Sequence, residues 1–190
     1  MSAHTAAVVI DLQGVLSYIK DDPGFYNPLA YLIGGLPILV WGFAAFRKRP
    51  SLQGARLALA SISALSLLVV YHRINDATLL LLALPACAML WKEPGPKRWF
   101  ALGLTAAAIL LTATTPMAFL GLNYPTVAAI AAKLPGGLPA IFLLRPTPFV
   151  LFAMGCFYLW VYWRHEPERD ELTVDAGTAA ARQPVSEPAR

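Results

Sequence analysis

The residues whose types and spacing suit chemistry are Tyr71, His72, Arg73 and Asp76, within Tyr71-His72-Arg73-Ile74-Asn75-Asp76. Arg73 is a permanent planar cation, suited to bidentate contact with a phosphate. His72 can donate to a phosphate or exchange a proton near neutral pH. Asp76 can orient either one, or accept from a sugar hydroxyl. If the stretch continues as helix, His72 and Asp76 share a face at i, i+4 spacing. Together these groups suit a ligand with a phosphate head and a lipid tail. Each also has an ordinary structural role. Asp76 or Asn75 can cap a following helix. His72 and Arg73 can sit at a helix C-terminus, where the dipole favours cations. Tyr71 can anchor at a membrane interface.

The elements that must position these residues are two apolar runs, 57–70 and 77–91. Each is about 15 residues long, short of the ~20 that a helix needs to cross the hydrocarbon core. Full-length helices would therefore draw part of the polar cluster into or near the membrane. Ionisable groups at that depth are costly and are functional-site candidates by default. The whole chain fits this setting. It is 57% hydrophobic and 14% charged, with a mean hydropathy of +0.57, whereas soluble domains carry about 25% charged residues. An all-α integral membrane protein is expected. The net charge of +4 does not point to nucleic acid, because the basic residues cluster at the ends of apolar runs, which is a topology signal. Cys87 and Cys156 both lie inside apolar runs and read as small buried hydrophobes, not as a disulfide or metal pair. No metal or cofactor is expected.

About five spans follow, near 28–46, 57–71, 77–91, 99–115 and 148–163, within a membrane domain at 28–163. Residues 1–27 read as an amphipathic helix ending before the breaker cluster Lys20-Asp21-Asp22-Pro23-Gly24, lying on the membrane surface or packed on other helices. Residues 116–147 read as an interfacial or re-entrant segment. From Arg164 onward, the tail at 164–190 is polar and expected to be disordered. Pro85 stands inside the third span and is expected to kink it. Arg47, Lys48, Arg49 and Arg56 flank one connection, Lys92, Lys97 and Arg98 a second, and Arg164 the last. With five spans these connections share a side, and the positive-inside rule makes that side cytoplasmic. The N-terminus, the 71–76 cluster and the 116–147 region then face outward, across what is expected to be a bacterial inner membrane. Lys133 and Arg145 also face outward and are further phosphate-contact candidates, with snorkelling at the interface as their ordinary role.

The stretch Tyr71-His72-Arg73-Ile74-Asn75-Asp76-Ala77-Thr78-Leu79-Leu80-Leu81-Leu82 resembles the tyrosine-histidine-arginine, aspartate and leucine-run pattern in the C-terminal half of glycosyltransferase family 87. Asp11-Leu12-Gln13-Gly14-Val15-Leu16, followed by Asp21-Asp22-Pro23, is similar to the helix that precedes these spans in bacterial members. The resemblance covers roughly residues 10–165.

The resemblance implies a GT-C-like fold and inverting transfer of a sugar, a hexosyl or mannosyl group, from a polyprenyl-phosphate-sugar donor to a lipid or glycan acceptor. In that chemistry a carboxylate deprotonates the acceptor hydroxyl while cations stabilise the leaving phosphate. His72 and Arg73 match the family's polar motif and would be the phosphate-side or acceptor-side groups, with Tyr71 beside them and Asp76 in support. The family's catalytic carboxylate belongs to an outward loop in its N-terminal half, so no residue here inherits that role. The chain is then expected to be the C-terminal half of a longer enzyme, completed by a missing N-terminal half. One alternative is a small non-catalytic membrane scaffold or assembly subunit with a structural polar cluster. Another is a transporter-like protein, against which the lack of an inverted repeat counts.

Overall fold

The fold comes from a computed structural model that describes residues 12–17, 19–69, 74–113, 142 and 145–165. Every regular element among them is helical. In chain order these are α1 (Leu12–Leu16), α2 (Pro23–Arg47), α3 (Leu52–Val69), a 3₁₀ segment (Ile74–Ala83), α4 (Leu84–Trp91), α5 (Lys97–Thr112) and α6 (Pro146–Arg164). Three of them, α2, α3 and α6, are long and apolar enough to cross a membrane.

The first long helix starts earlier than the expected residue 28. Asp22 is its N-cap, accepting from the Gly24 amide at 2.9 Å, and Pro23 takes the first position. Proline there loses nothing, because its missing N–H would have had no helical partner. The cluster read as a helix breaker is thus also a helix starter. Pro28 and Pro37 lie inside the 25-residue helix. Of the expected N-terminal amphipathic helix, α1 is the described part, and Leu12, Val15 and Leu16 are all buried. It packs on α2 instead of lying on a surface. A Cβ at Gly34 would stand 3.7 Å from Leu12 Cδ1 and 2.6 Å from Val69 Cγ2. Glycine at this position is what lets α1, α2 and α3 meet.

At the centre of the bundle, α3 packs antiparallel along α6. Gly54, Leu57, Ser61, Ala64 and Leu68 are buried at spacings of three and four, one continuous face of a helix. The closest approach is at Gly155, where an added Cβ would be 2.6 Å from Leu65 Cγ and Cδ2. Ser61 Oγ donates to the Gly155 carbonyl at 3.0 Å. Small residues and hydroxyls between closely approaching backbones are the packing mode of helices in lipid, where hydrophobicity alone does not drive association. The Thr105 and Tyr158 hydroxyls, 2.8 Å apart and buried, join α5 to α6. Trp41 Nε1 donates to the Ala58 carbonyl at 2.9 Å, joining α2 to α3.

The outer face of α2 is apolar and uncovered. Leu32, Leu36, Leu39, Phe43 and Phe46 are all exposed, Phe46 at 93%, and their spacing makes them one stripe. Soluble monomers rarely present such a surface; a helix in hydrocarbon does. Cys87 and Cys156 are free thiols, the first buried and the second half-buried.

The third apolar run does not form one kinked α-helix. It runs as 3₁₀ helix from Ile74 to Ala83 and as α-helix from Leu84 to Trp91. Pro85 sits at the start of α4. Its ring would clash with the Leu81 carbonyl in a continuous α-helix, and it has no N–H to offer that carbonyl. The changeover therefore falls where proline is tolerated. The change of helix type also alters length. A 3₁₀ helix rises about 2.0 Å per residue against about 1.5 Å for an α-helix. The segment Ile74–Trp91 therefore reaches about 32 Å, where the same residues as α-helix would reach about 27 Å.

Candidate functional site

The two ends of the bundle differ in chemistry, and contacts fix which connections share an end. Lys48, just after α2, donates from Nζ to the carbonyls of Tyr162 and His165 at 2.7 and 2.6 Å. This joins the α2–α3 connection to the C-terminus of α6. Lys97 Nζ lies 5.9 Å from the Trp160 ring centroid and Arg164 Cζ lies 5.1 Å from the same centroid. This joins the start of α5 to the end of α6. Arg98 Cζ stands 5.9 Å from the Trp91 ring and 5.3 Å from the Trp99 ring, and these two indoles meet edge to face at 5.1 Å. This closes the α4–α5 connection, turned by Gly95 at φ +113°. Arg47 Cζ caps the Phe43 ring at 4.4 Å, and Phe43 stacks on Trp163 at 6.3 Å. All three basic connections thus converge on one rim of cations laid over aromatic rings.

Cation–π contacts of this kind contribute about 0.5–1 kcal/mol each when exposed. The arrangement also matches the level at which tryptophan and arginine sit in a bilayer, apolar body inward and charge outward. Arg98 Nε is buried and has no hydrogen-bond partner among the described residues. The guanidinium is held by ring faces instead.

The opposite end holds the residues singled out from sequence, as far as they are described. Helix α3 runs away from the rim and ends at Val69; the 3₁₀ segment starts the return path at Ile74. These two residues flank the Tyr71-His72-Arg73 stretch. Tyr71, His72, Arg73 and Lys133 lie outside the described residues, and Asp76 is described only as backbone in the 3₁₀ segment. Arg145 is half-buried in the position before α6, without a side-chain capping bond to that helix. The antiparallel pairing of α3 with α6, Gly54 beside Tyr162 and Ser61 bonded to Gly155, brings Arg145 to the Val69 end. Arg145 and the backbone of Asp76 therefore share the end opposite the rim. The expected interfacial segment at 116–147 falls mostly outside the described residues, as does the tail beyond 165.

At this same end, Lys20 and Asp22 pair at 2.9 Å, and both side chains are well exposed. Asp22 is already occupied as a helix cap. Among the described residues, no group of three or more histidine, cysteine or acidic side chains could hold a metal.

Comparison with known proteins finds no matching family model, no matching curated protein and no matching solved structure. The rim was only partly visible in the sequence. Charge at the ends of apolar runs marked the connections, but nothing in the spacing paired Lys97 with Trp160 or Lys48 with the end of α6.

Proposed function

We propose that the chain is an integral membrane protein crossing the bilayer with five apolar segments, the basic rim at the cytoplasmic face. The 71–76 stretch then lies at the outer face and binds the phosphate of a polyprenyl-phosphate-linked sugar during hexosyl transfer to a lipid or glycan acceptor. The observation that carries this reading is the convergence of all three basic connections on one rim. A bundle with most of its described cations at one end has a definite inside under the positive-inside rule. The other end, which Val69, Ile74 and Arg145 share, is then the outer one. The stretched 3₁₀ segment supports the span count, because about 32 Å suffices for a ~30 Å hydrocarbon core.

The chemistry follows from residue type and from the resemblance to glycosyltransferase family 87. The acceptor hydroxyl attacks the anomeric carbon as the bond to the phosphate oxygen breaks. Arg73 and His72 take up the negative charge that develops on the leaving phosphate. Asp76 and Tyr71 orient them, and Arg145 adds positive potential from α6. The acceptor hydroxyl gives up its proton to a carboxylate base as it attacks, a role not assigned to Asp21 or Asp22.

The test is photo-capture of a benzophenone-bearing polyprenyl-phosphate-mannose by the chain in bacterial membranes. Arg73→Ala should reduce capture about 10- to 100-fold, the worth of charge-assisted hydrogen bonds to a phosphate, while the protein still resists carbonate extraction. Undiminished capture by Arg73→Ala would remove that residue's role. No capture by the wild-type chain would sink the transferase reading and leave the scaffold reading in its place.

A further inference from the structure

We propose that the groove between α5 and α6 at the basic rim is a binding site for one anionic glycerophospholipid. Its phosphodiester would sit between Lys97 and Arg164, and one acyl chain would run along Phe100, Phe157 and Gly103. This inference needs only that α5 and α6 lie in a bilayer, and it is independent of the chemistry assigned to the opposite end.

Three observations lead to it. First, Lys97 and Arg164 are both exposed and both lie against Trp160, at 5.9 and 5.1 Å from its ring centroid. Among the described residues no other ring receives two cations. Second, no carboxylate of the described residues neutralises them; the ion pair among those residues, Lys20 with Asp22, belongs to the other end. Glu93, on the neighbouring connection, pairs with neither. Two cations held at one ring repel each other, and an anion between them removes that repulsion. Arginine presents a planar fork to phosphate oxygens and lysine a point charge.

Third, the cation pair opens onto an aromatic track. Phe157 lies 6.3 Å from Trp160 and 6.4 Å from Phe100 between ring centroids, and Phe100 is 60% exposed. One turn further along α5, a Cβ at Gly103 would meet nothing within 4 Å. The site thus has paired charge at its mouth and open apolar surface leading away from it. A free phosphate would use only the mouth. A lipid with a charged head and a hydrocarbon tail uses both parts. The other cation–aromatic groups of the rim, Arg47 on Phe43 and Arg98 between two indoles, each offer a single charge.

The experiment uses the full chain, purified in detergent and stripped of lipid. It is titrated with phosphatidylglycerol or phosphatidylcholine carrying brominated acyl chains, and binding is read as quenching of tryptophan fluorescence. The wild type should bind phosphatidylglycerol at least about tenfold more tightly than phosphatidylcholine, as two interfacial cations predict. Lys97→Gln with Arg164→Gln should bring the two lipids to near parity. Lys97→Arg with Arg164→Lys should keep the preference, a gain-neutral check that does not depend on the first variant folding well. Arg47→Gln with Arg49→Gln removes the same charge from the same end and should leave the preference within about threefold of wild type. An equal loss in that control would reduce the effect to diffuse attraction and overturn the site. So would a wild type without preference. Displacement of the bromolipid by millimolar inorganic phosphate would assign the cations to a free anion and overturn the lipid.

Discussion

Lys48 Nζ lies 2.7 Å from the carbonyl oxygen of Tyr162 and 2.6 Å from that of His165, so the residue after α2 closes the C-terminus of α6. The last carbonyls of a helix have no intrahelical partner, and a cation there also opposes the helix dipole. One side chain therefore caps α6 and ties together two connections more than a hundred residues apart in sequence. The ammonium lies 5.3 Å from the Tyr162 ring as well.

Lys48→Met keeps the aliphatic stem and deletes the ammonium. Two charge-assisted bonds are lost, each contributing about 1.5–3 kcal/mol at most. The net loss is expected at about 2 kcal/mol, because the freed carbonyls regain water at the interface. Thermal unfolding in detergent, followed by tryptophan fluorescence, should show the fall. Lys48→Arg should recover part of it. A Lys48→Met protein as stable as wild type would mean that the capping bonds contribute nothing net.

Gly155→Ala tests the α3–α6 contact. The new methyl would fall 2.6 Å from Leu65 Cγ and Cδ2 and 3.5 Å from the Leu65 backbone nitrogen, so either Leu65 leaves its position or the helices part. Overpacking of this kind costs about 1–3 kcal/mol. Leu65→Ala alone empties a fully buried position and costs about 2–5 kcal/mol, but combined with Gly155→Ala the loss should be smaller than the sum of the two, because the clashing atoms are gone. Gly103→Ala is the matched control: its methyl meets open space, and alanine favours the helix over glycine by about 0.8–1.0 kcal/mol. Urea or SDS unfolding of these proteins separates these effects. Equal behaviour of Gly155→Ala and Gly103→Ala would refute the close approach.

How far the sequence revealed this arrangement depended on the kind of signal. Helical character and the positions of the connections follow from apolar runs closed by charge and proline, as at Arg47-Lys48-Arg49-Pro50 and Glu93-Pro94-Gly95-Pro96. These are local signals and carry no tertiary information. The start of α2 is five residues earlier than the apolar run suggests, because Asp22 and Pro23 extend the helix through capping, which hydrophobicity does not report. The 3₁₀ form of Ile74–Ala83 was not legible, since its leucine run suits an α-helix equally well. Cross-helix contacts such as Lys97 with Trp160 depend on which helix faces meet. Arg145 is placed by the α3–α6 register, which Gly155 and Ser61 set and which no local pattern announces.

Pro85→Ala tests why the third apolar run changes helix type. With alanine at 85, an amide becomes available to the Leu81 carbonyl and the ring clash disappears. The residues just before it should then move toward α-helix, and backbone carbonyl carbon shifts of Leu80–Ala83 in lipid, read by solid-state NMR, would follow the change. Conversion also shortens the run. If all ten 3₁₀ residues became α-helical, the segment would lose about 5 Å of reach, leaving it short of a ~30 Å core. The bilayer would have to thin or the helix end would be drawn inward, at a cost of fractions of a kcal/mol per Å. The variant should therefore lose more stability in thick bilayers than in thin ones. Unchanged carbonyl shifts would show that Pro85 does not set the changeover. Changed shifts with no dependence on bilayer thickness would show that the 3₁₀ form is not needed for length.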